Sequence, residues 1–175
     1  MRVKALILVP LVAVALTACA AQVTPVPTST EAVTEKPLFA TDEEALSAAQ
    51  AAYANYLEVS DQIARDGGAN PERLKALVSS TQYPIEIAPF KELQSSGATM
   101  SGSSSFDQLH IQSIDSKVVS AYLCLDNSAV VLNQTDGSQK QSTNQRWPLL
   151  VSFSENSDGS LVLSGSETWT GTNFC

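Results

Sequence analysis

From Lys117 to Asp126 the chain alternates without a break, and no feature constrains its fold more. Val119, Ala121, Leu123 and Leu125 fall on one face of an extended strand, and Val118, Ser120, Tyr122 and Cys124 on the other. A period of two cannot be read as a helix, and apolar residues on both faces point to a strand inside a sheet. Turn chemistry follows at Asp126-Asn127-Ser128, at Asp136-Gly137 and at Asn156-Ser157-Asp158-Gly159. The segments these turns separate read as further strands. They are Ala129 to Asn133, the face of Trp147, Leu149, Val151 and Phe153, and the run Leu161, Leu163, Gly165, Glu167 and Trp169. An earlier strand sets Leu109 and Ile111 against polar Gln108, His110 and Gln112, after a serine-rich lead-in at 101–105 that is a flexible loop or a weak edge strand.

Residues before about 100 carry the helical period instead. Thr41 and Glu44 form a capping box, and Asp42, Glu43 and Glu44 suit the positive end of a helix dipole. Ala45, Ala49, Ala52, Tyr53, Tyr56, Leu57 and Ile63 then recur at helical spacing, Asp61 and Arg65 can pair across one turn, and Gly67-Gly68 stops the helix. Asn70-Pro71 predicts a short second helix burying Leu74, Leu77 and Val78, with the asparagine as its cap. A third is expected from Pro84 to Gln94, ended by Ser95-Ser96-Gly97. Helices first and an antiparallel meander afterwards is the α+β order.

A long N-terminal helix with spaced aromatics, two short helices and four or five meandering strands resembles the nuclear transport factor 2-like, cystatin-like superfamily. The resemblance is to exported lipoproteins of actinobacteria that carry this domain, and it covers residues 41–175. It rests on Tyr53 and Tyr56, on Cys124-Leu125-Asp126-Asn127-Ser128, and on Cys175. It implies N-terminal helices packed in the concave face of a curved antiparallel sheet, with a conical pocket between them.

Arg2 and Lys4 precede an apolar stretch that ends in Leu16-Thr17-Ala18-Cys19, the pattern of a secretory signal. The tetrapeptide resembles the lipobox of bacterial lipoproteins. That resemblance implies that residues 1–18 are removed and that Cys19 carries a thioether-linked diacylglycerol, anchoring the protein on the extracytoplasmic face of the cell membrane. A spanning helix needs roughly 20 apolar residues, and the run from Ala5 to Ala18 is shorter and contains Pro10. Residues 19–40 hold Pro25, Pro27 and Pro37 with no periodicity, so they read as an extended tether ahead of a domain spanning 41–175.

Loss of Arg2 and Lys4 moves the formal net charge from −8 to −10. Such a chain repels phosphate backbones, so nucleic acid is not an expected partner. With Cys19 taken by lipid, Cys124 and Cys175 allow one intramolecular disulfide, which export favours over two free thiols or a metal site. A single histidine makes a metal site poor, and no metal or other cofactor is expected.

Motifs of catalysis are sparse. His110 sits on the polar phase of its strand and has no nucleophile motif beside it; the serines after Gly102 do not form a nucleophile elbow. The segment from Asp126 lacks the alternating oxygens and the glycine of a calcium loop. Enzymes of the resembled superfamily place an aspartate base with a tyrosine, or an Asp-Arg-Asp set, in an apolar cone. Here Glu167, in phase with Leu163 and Trp169, and Arg146, next to the Trp147 face, make no dyad. The aromatic set Tyr53, Tyr56, Tyr122, Trp147 and Trp169 is either core or the lining of a ligand pocket. The expected role is a non-catalytic binding module for a small apolar ligand or an envelope protein; the alternative is an isomerase or hydrolase using a carboxylate in the cone.

Overall fold

The computed structural model describes residues 36–141, 143 and 145–175. The signal, Cys19 and most of the proposed tether lie outside the described residues. Helix α1 runs from Asp42 to Arg65. The Thr41 hydroxyl accepts a hydrogen bond from the Glu44 N–H at 3.2 Å, and the Glu44 carboxylate accepts one from the Ala40 N–H at 3.2 Å. The return bond of the capping box is thus shifted one residue back. Packed structure also begins before Thr41. Leu38 and Phe39 lie against the core, and the Leu38 N–H donates to the Asp115 carbonyl at 2.9 Å, so the end of the segment read as tether belongs to the domain.

The expected second helix is a 3-10 turn, Pro71–Ala76, with Leu74 fully buried. Asn70 adopts left-handed backbone (φ 54°) and gives no side-chain cap. The third becomes two pieces, α2 (Tyr83–Glu86) and α3 (Ala88–Ser96). Pro89 lacks an N–H and is tolerated only in the first turn of a helix, so the backbone restarts there. Gly68 lets this helical layer close on α1: a Cβ there would sit 2.0 Å from the Phe90 carbonyl oxygen, at φ +83°.

Seven strands follow in two sheets: β1 (Thr99–Ser101), β2 (Ser105–Ile114), β3 (Val118–Asp126), β4 (Val131–Asn133), β5 (Gln139–Gln141), β6 (Arg146–Glu155) and β7 (Leu161–Thr168). The main sheet has the order β2-β3-β6-β7 and is antiparallel throughout. The small sheet, β1-β4-β5, was not expected as a separate unit; its first strand ends at Ser101, and the rest of the serine-rich stretch links it to β2. Asp115, Asp126, Asp136 and Asp158 each accept a backbone N–H two residues on, the local bond that makes aspartate a turn former. All four carboxyls lie below the usual carboxylate range, held there at Asp126, Asp136 and Asp158 first by the serine hydroxyl two residues on and then by that backbone N–H, and at Asp115 by the N–H groups of Lys117 and Val118.

The alternation of β3 is realised as expected. Val119, Ala121 and Leu123 are fully buried against the helices, as are Val151 and Phe153 of β6. Facing them on α1 are Ala45, Ala49 and Tyr53, none more than 1% exposed. The architecture is α+β, with the N-terminal helices seated in the concave face of a curved antiparallel sheet. Register shifts bend the sheet: two in β2, the first at Gln108 with left-handed φ 50°, and one in β7.

Cys124 and Cys175 form a disulfide with Cα atoms 5.6 Å apart. Arg146 reinforces it, donating to Asp107 at 2.6 Å, to Asp126 at 3.5 Å and to the Cys175 carbonyl at 3.3 Å. The cysteines are 51 residues apart in sequence, a loop whose closure contributes about 4 kcal/mol on the chain-entropy model. The double variant Cys124→Ala/Cys175→Ala should therefore lose up to about 4 kcal/mol of unfolding free energy in a urea titration. A loss under about 1 kcal/mol would assign the ordering of the C-terminus to Arg146 and its neighbours instead.

Candidate functional site

Tyr53 occupies the place where a conical pocket would lie. Its ring meets Phe106 edge-on at 5.0 Å and Phe153 edge-on at 6.5 Å, with Tyr56 tilted against it at 5.7 Å. One row of the sheet, Phe106–Leu125–Trp147 in register across β2, β3 and β6, packs against the same core. The concave space is filled by the protein's own side chains.

The polar end of this cluster is equally engaged. The Tyr56 hydroxyl donates to one Glu86 oxygen, and the Gln82 amide donates to the other at 2.7 Å. Gln82 is 6% exposed, the one buried polar side chain of the described residues. Burial pushes the Tyr53 phenol well up, and the Glu86 charge adds to the effect. Tyr56 is raised by burial first, then by the Glu86 charge and hydrogen bond, with the Ser60 hydroxyl opposing them. Sequence reasoning missed Glu86 and Gln82. Their i,i+4 spacing was visible, but nothing in the sequence shows that α2 sets them beside Tyr56.

The five aromatics do not converge. Tyr53, Tyr56 and Trp147 belong to the helix side of the sheet. Tyr122 and Trp169 belong to the other face, 5.0 Å apart edge-on, with Phe174 6.1 Å from Tyr122. For Tyr122 the cause is the plain alternation of β3, and for Trp169 it is the register shift in β7. Phe153 pairs with Leu163, but the adjacent Ser152 pairs with Gly165, so Ser164 is an extra residue and the phase reverses. Gly165, Glu167 and Trp169 are thereby moved off the face of Leu163, and Glu167 is exposed and paired with Leu150. Arg146 also lies away from the cone, among Asp107, Asp126 and the C-terminus. His110 is exposed, in register with Tyr122.

Asp61 and Arg65 do not pair with each other. Asp61 accepts from the Ser104 N–H at 2.8 Å and the Ser104 hydroxyl at 2.9 Å, while Arg65 donates to the Gly102 carbonyl at 3.2 Å. Both reach across to fasten the β1–β2 link onto α1, forming a cleft of about 340 Å³ floored by Leu57 and Phe106. A second cleft, of about 290 Å³, lies by the small sheet and is lined by Met100, Asn127, Val130, Leu132, Lys140 and Gln141. Among the described residues, no three His, Cys, Asp or Glu side chains gather to hold a metal, and no helix is long and apolar enough to cross a membrane.

No protein-family model matches the chain, and no curated protein matches it in sequence. Solved structures do. The intermembrane space region of the chloroplast protein ARC6 superposes with a TM-score of 0.52 at 10% identity, over 70% of this chain and 95% of that one. Aln2 from a Streptomyces species gives 0.47 at 17% identity, over 73% and 93%. A Catenulispora acidiphila protein in complex with S-DNPA gives 0.46 at 13%, over 72% and 94%. The likeness is one of fold alone.

A filled cone makes Tyr53→Ala costly: about 3–5 kcal/mol of stability, as for other large aromatics truncated in a core. Trp169→Ala, on a partly exposed ring of the opposite face, should cost clearly less in the same denaturation experiment. The raised phenols set a pH dependence as well. Unfolded tyrosine titrates near pH 10, so the contribution of Tyr53 and Tyr56 is complete below that pH and is lost as pH rises toward their higher folded values. Unfolding free energy should begin to fall near about pH 10 and keep falling as pH rises further, and Tyr53→Phe should flatten that fall.

Proposed function

We propose that this protein is a lipid-anchored, extracytoplasmic binding module rather than an enzyme. The observation that carries this reading is the occupied cone: Tyr53, 1% exposed, stands where an enzyme of this shape would hold substrate. The carboxylate nearest to it in chemistry, Glu86, has both oxygens engaged by Tyr56 and Gln82, and so reads as a structural acceptor rather than a general base. Binding then falls to surface clefts and to the open sheet face, where a small apolar ligand or an envelope protein is the expected partner.

The anchor rests on Leu16-Thr17-Ala18-Cys19 and agrees with the charge. A strongly acidic domain is repelled by anionic headgroups, so it stays near a membrane only if something covalent holds it. Two acyl chains on Cys19 suffice for stable attachment, and the proline-bearing segment after it gives the domain reach. Cys19→Ala should shift the protein from the detergent phase to the aqueous phase, or leave its signal uncleaved. Intact-mass analysis of a mature chain with an unmodified Cys19 would remove the anchor from this account. Limited proteolysis should cut first within residues 20–35 and leave a stable fragment that retains Leu38 and Phe39.

A further inference from the structure

Residues 170–175 cover part of the outer face of the main sheet, and one covalent bond supplies most of their hold. Asp107, Cys124, Pro148 and Trp169 form a row across β2, β3, β6 and β7. The first three are register partners, and the Trp169 N–H donates to the Pro148 carbonyl at 3.0 Å. From Trp169 the chain turns back to β3, where Cys175 bonds to Cys124 with Cα atoms 5.6 Å apart. Because β6 lies between β3 and β7, the segment crosses β6, and Pro148 and Cys124 in the row it covers are buried. The covering residues are themselves open: Thr170, Gly171, Thr172 and Asn173 are exposed, and Phe174 and Cys175 partly so.

Among the described residues the non-covalent hold on this segment is small. The Arg146 guanidinium donates to the Cys175 carbonyl at 3.3 Å, and the Phe174 ring meets Tyr122 edge-on at 6.1 Å. Gly171 lies against the nearby Trp169 indole, and the Cys175 N–H is satisfied within the segment by Asn173. The ladder of β7 with β6 stops before the segment begins. Fixing the backbone of such a stretch costs more than one ring contact and one hydrogen bond return. The disulfide keeps it down. Its two ends are also unequal, since Cys124 is 0% exposed and Cys175 is partly exposed, so a thiolate from solvent meets Cys175 first.

We propose that the Cys124–Cys175 disulfide is a redox-operated latch. Reduction by a dithiol frees residues 170–175 from the outer face while the rest of the domain stays folded, and reoxidation seats them again. A thiolate of the dithiol attacks the Cys175 sulfur, the S–S bond breaks, and Cys124 departs as a thiolate that takes up a proton. The second thiol of the dithiol then attacks the mixed disulfide and releases Cys175 as a thiol. Two electrons pass to the protein, and the dithiol leaves as its own disulfide. The core that Tyr53, Val151 and Phe153 build lies on the opposite side of the sheet and makes no use of the segment. Release therefore changes the outer face alone, uncovering Tyr122, Cys124 and Pro148.

The test uses the full chain carrying Cys19→Ala, which leaves these two cysteines alone, with dithiothreitol as the dithiol and backbone NMR relaxation as the readout. Order parameters of residues 170–175 should drop from about 0.85 to below about 0.6 on reduction, while β3 and α1 stay near about 0.85. The reduced domain should still unfold cooperatively in urea, at a lower midpoint. Oxidised glutathione should restore the original spectrum. Reduced glutathione, a monothiol, should be trapped on Cys175 and not on Cys124, as peptide mass mapping reads. Cys175→Ser should show the mobile segment without any reductant. A segment that stays ordered after reduction, or in Cys175→Ser, would overturn the latch and assign the hold to Arg146 and Phe174. Loss of the folded domain on reduction sinks it as well, making the bond a staple of the whole fold. Resistance of the folded protein to dithiothreitol, or glutathione found on Cys124, would count against it equally.

Discussion

The packing of Tyr53 between α1 and the sheet is the contact on which the rest of the molecule depends. A helix seated in a curved sheet leaves a space that widens toward one end, and short side chains cannot fill it. Ala45 and Ala49 let the start of α1 approach the sheet closely, and Tyr53 then spans the wider gap to reach Phe106 and Phe153. Placing a phenol there brings a polar atom into an apolar region, and a hydrogen-bonded cluster around the neighbouring Tyr56 hydroxyl lies beside it. Tyr56, Glu86 and Gln82 exchange hydrogen bonds there, with Glu86 in α2 and Gln82 as the residue that precedes that helix. The short helices are therefore a polar lid on the aromatic core as much as a hydrophobic layer.

Much of the fold was legible because its signals are local. Thr41 and Glu44 mark the start of α1, Gly67-Gly68 its end, and the strict alternation of β3 its place in the middle of the sheet. The candidate site was less so, for a reason that can be located. Alternation in β7 assigns Leu163, Glu167 and Trp169 to one face, and a single extra residue, Ser164, sends the latter two to the other. A bulge costs one unpaired residue and has no composition of its own, so period counting passes over it and every assignment downstream inverts. Glu86 and Gln82 escaped for a different reason, since they act through tertiary neighbours from a four-residue helix and the residue before it.

The outer face of the sheet shows what that inversion achieves. Trp169 and Tyr122 stack edge to face, Gly171 passes so close to the indole that a Cβ would lie 2.4 Å from it, and Phe174 closes on Tyr122. The chain then ends in the disulfide to Cys124 and the carbonyl bond from Arg146. An aromatic hook of this kind covers part of a sheet face that would otherwise present apolar residues to solvent. The next row, Ser113–Ser120–Ser152–Gly165, is small and polar and needs no cover.

A core closed on both sides directs attention to where the backbone departs from the main sheet. The hairpin of β4 and β5 does so between β3 and β6, and it pairs with β1 instead of extending the meander. Gly102 makes the crossing possible, since a Cβ there would lie 1.9 Å from the Ala129 carbonyl oxygen at φ +82°. The Asp126-Asn127-Ser128 turn thereby lies where the chain leaves β3 for the small sheet, with Asp126 and Asn127 partly exposed and Ser128 exposed. Beside that turn the Asn127 side-chain oxygen is shielded from water without a hydrogen-bond partner, and Met100 and Leu132 are partly covered by packing on Ala64, Leu93 and Ala98. In a fold whose interior is spent on aromatic packing, this seam is closed instead by the Gly102 crossing and by the hydrogen bond of the Asp126 turn.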